Sequence, residues 1–324
     1  MRGSGGSPDM PLGDLPATSE PPIPGWVGDV VGPASAAGAE AAEGPIAVRI
    51  REGDRFCHVS AGFGGAGAMD ILTFQQRVVE TYQAVFKQLQ GRTAQNPVRF
   101  WAFVPGIHDD LGAGLDRYMV FNAGRYGAYS AHFGSPTSFG RSVPTASAVG
   151  VPGDSFTLHC LAANETGLPV ENPRQVPAYR YSRRFGPMPP CFARATLLRG
   201  QPEGPVLLVG GTASIIGEES RHVGHLEEQA KETFRNLASV VASAAGIPLS
   251  EDSPADELGP LLAGFRELRV YHTRPGDREA ILGFVEARFP SLGRLELLQA
   301  SLCRPELFIE IEGLARPSGR PAAN

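Results

Sequence analysis

Ser301-Leu-Cys-Arg-Pro-Glu-Leu-Phe-Ile-Glu-Ile-Glu-Gly313 sets two carboxylates into an apolar strand. Side chains alternate along a strand, so Leu307, Ile309 and Ile311 share one face and Phe308, Glu310 and Glu312 the other. Same-face neighbours then stand roughly 7 Å apart, from about 3.3 Å of rise per residue. A strand this apolar belongs in a sheet interior, where an ionised carboxylate is costly without a partner. Two arrangements meet that cost: an Arg for each acid, or one acid held neutral as a proton donor. On this strand alone, a structural ion pair competes with a catalytic role.

Working outward, strands alternate with helices from about residue 45. Residues 55–62 read as a strand running into a Gly-rich turn, and 73–90 carry Val78, Val79, Tyr82, Val85, Phe86 and Leu89 at helical spacing up to Gly91. Residues 97–107 (PVRFWAFVPGI) form a buried strand, and 116–133 a helix or helix-turn segment. The second half repeats this order: strand 205–215, helix 225–245 stopped by Gly246 and Pro248, strand 265–272, helix 277–289, then strand again over 295–312. Within the first helix of each half, Glu80-Thr81-Tyr82 matches Glu232-Thr233-Phe234. The shared order predicts two copies of one βαβ-containing unit, with 45–150 as the first and 205–316 as the second. Between them, 151–204 is rich in Pro, Arg and Tyr and reads as an ordered irregular segment crossing a functional surface.

Residues 1–44, mostly Gly, Pro, Ala and Ser, lack the start and apolar core of a signal peptide and read as a disordered leader, with 317–324 a disordered tail. The chain has 324 residues, 42% hydrophobic and 19% charged, with a net charge of −5. No apolar run suggests a membrane span, and no basic stripe points to nucleic acid. Cys57, Cys160, Cys191 and Cys303 form no Cys-x-x-Cys pair, and His222 and His225 have no further ligand nearby. No metal site and no disulfide are expected, and the cytoplasm is the default compartment.

The second copy resembles the reactive-intermediate deaminase (Rid/YjgF) fold, from Val206-Leu207-Leu208-Val209-Gly210-Gly211 through Gln229, Thr233 and Asn236-Leu237 to Cys303-Arg304 and the Glu310 strand. The body from 45 to 316 is similar to a narrower family, the chorismatases, which split pyruvate from chorismate. The motifs are Arg117-Tyr118, Phe121-Asn122-Ala123-Gly124-Arg125, 172–181 (NPRQVPAYRY), Gly211-Thr212-Ala213-Ser214-Ile215 with Gly217-Glu218-Glu219-Ser220, Tyr271 with Arg274, and the Cys-Arg…Glu-Ile-Glu strand. The resemblance implies an α/β (mixed α+β) fold of two fused Rid/YjgF-like units, mixed sheets backed by helices. It implies no cofactor, and a monomer in which the internal repeat replaces oligomerisation.

Chorismate carries two carboxylates, an enol-ether side chain and a ring hydroxyl, so its site needs cationic anchors. Candidates are Arg125, Arg180, Arg184, Arg274 and Arg304, of which all but Arg184 lie in matched motifs. Tyr179 and Tyr271 are expected to add hydroxyl contacts, and the backbone N–H groups of 210–214 with the Ser214 hydroxyl to meet a carboxylate. Breaking the enol ether begins with protonation of its methylene carbon, which needs an acid still protonated near neutral pH. The resemblance makes Glu310 that acid, with Glu312 raising its proton affinity or pairing with an Arg. One branch of the family adds water and releases a diene diol; the other aromatises the ring to 3-hydroxybenzoate and tends to have Gly before Thr-Ala-Ser and Cys heading the last strand. Gly211 and Cys303 match the second branch, with Cys303 determining the product rather than acting as a nucleophile. The alternatives are the hydrolytic branch, a Rid-type imine/enamine hydrolase, and a non-catalytic small-molecule binding protein.

Overall fold

Two six-stranded mixed sheets, built from consecutive stretches of chain, carry the same strand order. The computed structural model describes residues 22–32, 40–250, 253 and 255–317. A short helix α1 (Gly25–Val31) leads into the first half. That half runs β1 (Glu40–Glu43), β2 (Ile46–Glu52), β3 (Phe56–Phe63), α2 (Ile71–Leu89), β4 (Asn96–Pro105), α3 (Arg117–Phe133), α4 (Phe139–Ser142), β5 (Thr145–Val151) and β6 (Phe156–Ala163). The second half runs β7 (Leu168–Val170), β8 (Ala195–Leu198), β9 (Val206–Ala213), a small hairpin of β10 (Ile215–Ile216) and β11 (Glu219–Ser220), α5 (Leu226–Ala245), α6 (Ala255–Leu262), β12 (Phe265–His272), α7 (Arg278–Glu286), β13 (Arg294–Gln299) and β14 (Ile309–Ala315).

The first sheet is ordered β1-β2-β3-β6-β4-β5 and the second, read from its other edge, β7-β8-β9-β14-β12-β13. Pair by pair the directions agree: β4–β5 and β12–β13 are parallel, while β3–β6, β4–β6, β9–β14 and β12–β14 are antiparallel. The helices follow from the sequence. Asp70 caps α2 by accepting from the Thr73 N–H at 2.7 Å, and Phe74, Val78, Tyr82, Val85 and Leu89 give it a buried stripe. Gly246, in the left-handed region, ends α5. The Glu-Thr pair shared by α2 and α5 has a structural basis, because Thr81 and Thr233 are buried and each donates to the carbonyl four residues back, at 2.7 Å.

Each sheet packs its helices on one face, and a third apolar cluster containing Trp26, Trp101, Phe103, Leu208, Tyr271 and Leu307 joins the halves. There β5 lies along β8 and β9, tied by bridges between Thr145 and Ala193 and between Gly150 and Ser301.

Three boundaries differ from those expected. The first sheet continues past 150, because β6 supplies its fourth strand; buried on both faces, β6 lacks the alternation that marks a half-exposed strand. The second sheet starts at Leu168, so the long irregular stretch within 151–204 is the one between β7 and β8. The expected disordered leader is corrected over 22–32 and 40–44. Trp26, Val27 and Val31 of α1 are buried, since three apolar side chains on a helix of about two turns suffice once a groove receives them. Residues 1–21 and 33–39, and 318–324 of the expected tail, lie outside the described residues.

Candidate active site

Where β5 passes β9, the seam between the halves opens into a cavity of about 240 Å³. Glu310, Cys303, Gly211, Arg125, Arg194 and Arg304 line it, so both halves contribute. The two acids of β14 lie on its inner side as alternation requires, but their surroundings differ. Glu312 accepts from Arg99 Nη2 at 2.7 Å, Trp101 Nε1 at 2.7 Å, Tyr271 Oη at 3.2 Å and the Ser147 hydroxyl. It is the structural acid, its charge matched by a buried guanidinium.

Glu310 is 5% exposed and faces the cavity. Burial, then the neighbouring Glu312 charge, push its carboxyl up to about 8 against the opposing pull of Arg99 and Arg194. Both arrangements anticipated for a buried acid are thus present on one strand, two residues apart.

Gly211 explains how the acid fits. A Cβ there would stand 2.0 Å from Glu310 Oε1 and 3.1 Å from Ser147 Oγ, so glycine is what leaves room for the carboxyl. The Ser147 hydroxyl accepts from Gly211 N at 2.9 Å and Arg99 Nη2 at 2.6 Å while donating to Glu312, which locks the strand crossing behind the acid. Cys303 sits beside Glu310 and Tyr118, and burial first, then the Glu310 charge, raise its thiol to about 12. A thiol so raised stays protonated at neutral pH and is no thiolate nucleophile.

Three guanidiniums face the cavity without an ion-pair partner among the described residues. Arg125 is held by Asn122 Oδ1 at 2.7 Å and lies over the Phe121 and Phe192 rings. Arg194 donates to Val176 O at 2.9 Å and Tyr181 Oη at 2.8 Å. Arg304 donates to Glu218 O at 2.8 Å and Ser220 Oγ at 3.1 Å, stacking 4.1 Å from the Phe185 centroid. Neutral groups orient all three and leave their charge for a ligand, a setting suited to an organic dianion. Arg184 stands at the rim, exposed and paired with Glu219.

Behind the wall, α5 fixes the loops. Gln229 accepts from Phe308 N at 2.8 Å and donates to Glu306 O at 2.9 Å, which sets the approach to β14. Asn236 donates to Ala213 O at 3.0 Å and Ile215 O at 2.9 Å and accepts from Arg174.

Of the residues expected at the site, Glu310, Cys303, Arg125, Gly211 and Arg304 come together, and five do not. Tyr271 is fully buried one layer back, on Glu312. Ser214 turns away and donates to Arg221 O at 3.0 Å. The N–H groups of Gly210 and Gly211 are spent on Arg194 O and Ser147 Oγ, so this turn is no carboxylate cradle. Arg274 is exposed, paired with Asp277 at 2.6 Å and stacked on Phe308. Tyr179 packs edge-on against Phe139, and Arg180 is exposed beside it. Short motifs identify these segments but not which side chain turns inward. Arg194, Ser147 and Tyr118 were missed. Arg194 had a signal: a lone Arg in the apolar run Cys191-Phe-Ala-Arg-Ala-Thr-Leu-Leu198 poses the same question as the acids of β14.

The fold and cavity define a class: a duplicated mixed-sheet protein whose seam sets a buried acid of raised proton affinity among guanidiniums without an ion-pair partner among the described residues. Residues 35–162 match the family described as "Chorismatase FkbO/Hyg5-like, N-terminal". A 3-hydroxybenzoate synthase of Streptomyces hygroscopicus is 29% identical over 318 residues, 95% of this chain and 86% of that protein. A chorismatase of Streptomyces rapamycinicus is 30% identical over 238 residues, 72% of this chain and 68% of that protein. A chorismatase crystal structure superposes with a TM-score of 0.71 at 28% identity, covering 86% of this chain and 79% of that one. The chain belongs to the chorismatase family.

Proposed function

We propose that the protein converts chorismate into 3-hydroxybenzoate and pyruvate. The observation that carries this reading is Glu310, kept protonated to about pH 8 against a cavity bearing three unpaired guanidiniums. Arg125, Arg194 and Arg304 bind the two carboxylates, and Glu310 gives its proton to the methylene carbon of the enol ether. The ring carbon–oxygen bond then breaks, its electron pair leaving with the side chain as pyruvate. The adjacent ring hydroxyl oxygen bonds to the vacated carbon and gives up its proton. Its original carbon–oxygen bond then breaks, the carbon that now carries the oxygen loses its hydrogen as a proton, and the oxygen takes a proton up, which completes aromatisation. The two products together hold the atoms of chorismate, so neither water nor a redox partner enters.

Water competes with the ring hydroxyl at this step, and a wall holding the ring closely decides between them. Cys303 presents a neutral thiol there, a weak partner for water, and Gly211 keeps the Glu310 carboxyl seated in the wall. Incubation with chorismate, with chromatographic and mass-spectrometric identification of the ring product, tests the assignment. A diene diol in place of 3-hydroxybenzoate would place the chain in the hydrolytic branch, and no pyruvate release would remove the activity. The cavity is complete within one chain, which supports action as a monomer, testable by light scattering. Four free thiols support a reducing cytoplasmic setting.

A further inference from the structure

The duplicated fold has two seams, and only the one lined by β5 holds the cavity described above. At the matching place in the other, between β13 of the second half and β2–β3 of the first, lies α1. Side chains from both halves tie it down. Glu296 accepts from Gly25 N at 2.8 Å, Arg269 donates to Pro22 O at 2.7 Å, Arg294 pairs with Asp29 at 3.0 Å, and Arg51 donates to Gly32 O at 2.9 Å. The fit is close at Gly53, where a Cβ would stand 2.1 Å from Val31 O. Trp26 is buried, 8% exposed, with its ring centroid 6.1 Å from that of Trp101. Trp101 is the residue whose indole N–H holds Glu312. Only about 10 Å³ of space remains among Trp26, Trp101, Arg99, Arg269 and Glu312, room for about one water.

We propose that α1, through Trp26, is a positioning element of the active site: it seals the second seam and keeps bulk water off the Arg99–Trp101–Glu312 cluster that backs Glu310. This rests on the reading of Glu310 as the acid. The groups facing Glu310 are Glu312 on its own strand, Arg99 from β4, Arg194 ahead of β8, Tyr118 from α3 and Cys303 from the loop before β14, with Tyr271 of β12 paired beside it. Burial and the Glu312 charge favour the protonated acid, and Arg99 and Arg194 oppose it. Water admitted through the second seam reduces burial and screens Glu312, and both changes release the proton at lower pH. Screening of Arg99 acts the other way but is the smaller influence.

The test is an infrared titration of the Glu310 carboxylic acid in the full chain, the band being assigned by its loss in Glu310→Gln, alongside the pH dependence of kcat/KM for chorismate. In Trp26→Ala the midpoint is expected to fall by about one pH unit, with the alkaline limb of kcat/KM moving alike, and Trp26→Phe to restore both. Trp26→Leu, which keeps a smaller apolar cap, is expected to shift in the same direction by less and carries the test if alanine prevents folding. A folded Trp26→Ala or Trp26→Leu variant that titrates with the parent, even at a lowered Tm, would reduce α1 to a structural element and overturn the proposal. A parent with no carboxyl midpoint between about pH 6 and 9 would instead remove Glu310 as the acid, and the proposal with it.

Discussion

Strands β6 and β14 occupy the same place in sheets of the same order, and their inner faces carry different chemistry. On β14, Glu310 pairs in register with Tyr271 and Glu312 with Arg269; on β6, His159 pairs with Trp101 and Leu161 with Arg99. The neighbouring strands have kept an Arg-x-aromatic pattern, Arg99-Phe-Trp101 and Arg269-Val-Tyr271, and both aromatic residues now serve Glu312. His159 lies against His58, with nitrogens 3.2 Å apart and rings stacked, and burial lowers the His58 imidazole to about 4. One strand therefore presents a protonated acid to an open cavity lined by guanidiniums, and the other a buried imidazole pair beside a seam filled by α1. The duplication supplies two equivalent frames; cations and open space turn one of them into a site.

The sharpest way to break this contrast is to neutralise the matched positions. Glu310→Gln is expected to lower turnover by about two to four orders of magnitude with little change in affinity, because the lost group acts in the transition state. His159→Gln is expected to leave turnover within about threefold, as a residue outside the cavity should. Comparable losses in steady-state assays would end the distinction.

Next come the cations. Arg194→Ala or Arg304→Ala strands a substrate carboxylate in the cavity and is expected to weaken chorismate binding by about 2–5 kcal/mol, whereas Arg274→Ala should stay within roughly 0.5 kcal/mol. Calorimetric titration of Glu310→Gln with chorismate, in each Arg background, measures this without turnover. Equal losses at Arg274 would return it to the site.

The wall residues sharpen the question of product. Gly211→Ala pushes a methyl against the Glu310 carboxyl, and Cys303→Ala removes the neutral thiol. Together they are expected to slow pyruvate release, because the acid must shift, while the ring product of the remaining turnover moves toward the diene diol by about tenfold, a difference of roughly 1.4 kcal/mol between competing barriers. An unchanged product ratio in the active double variant would assign the outcome to other residues.

The last effect is on stability rather than on turnover. Glu310 binds its proton more tightly folded than unfolded, so its contribution is intact below about pH 4.5, falls as pH rises, and is lost once pH passes about 8. Glu310→Gln removes that loss and is expected to be more stable than the parent at pH 8, on the order of a few kcal/mol, with the gain fading toward pH 4.5. Urea unfolding at the two pH values checks the sign, and no gain at pH 8 would mean that Glu310 is ionised in the folded protein.

The sequence by itself determined the duplicated strand–helix order, because periodicity is local and each half repeats it. It also determined that β14 carries two costly acids, because alternation assigns a face without reference to any other strand. It identified Gly211, Cys303, Arg125 and Arg304 through motifs, but not the inward turn of Arg194 or the outward turn of Arg274. Only the tertiary structure decided which acid is paired and which is held neutral. Arg99, Trp101 and Ser147 reach Glu312 from more than 160 positions away in the chain. It also decided that a Gly- and Pro-rich leader contributes a helix, since burying Trp26 takes a groove whose walls come from both halves. Proton affinity and burial are properties of what lies nearby in space, and a sequence states only what lies nearby along the chain.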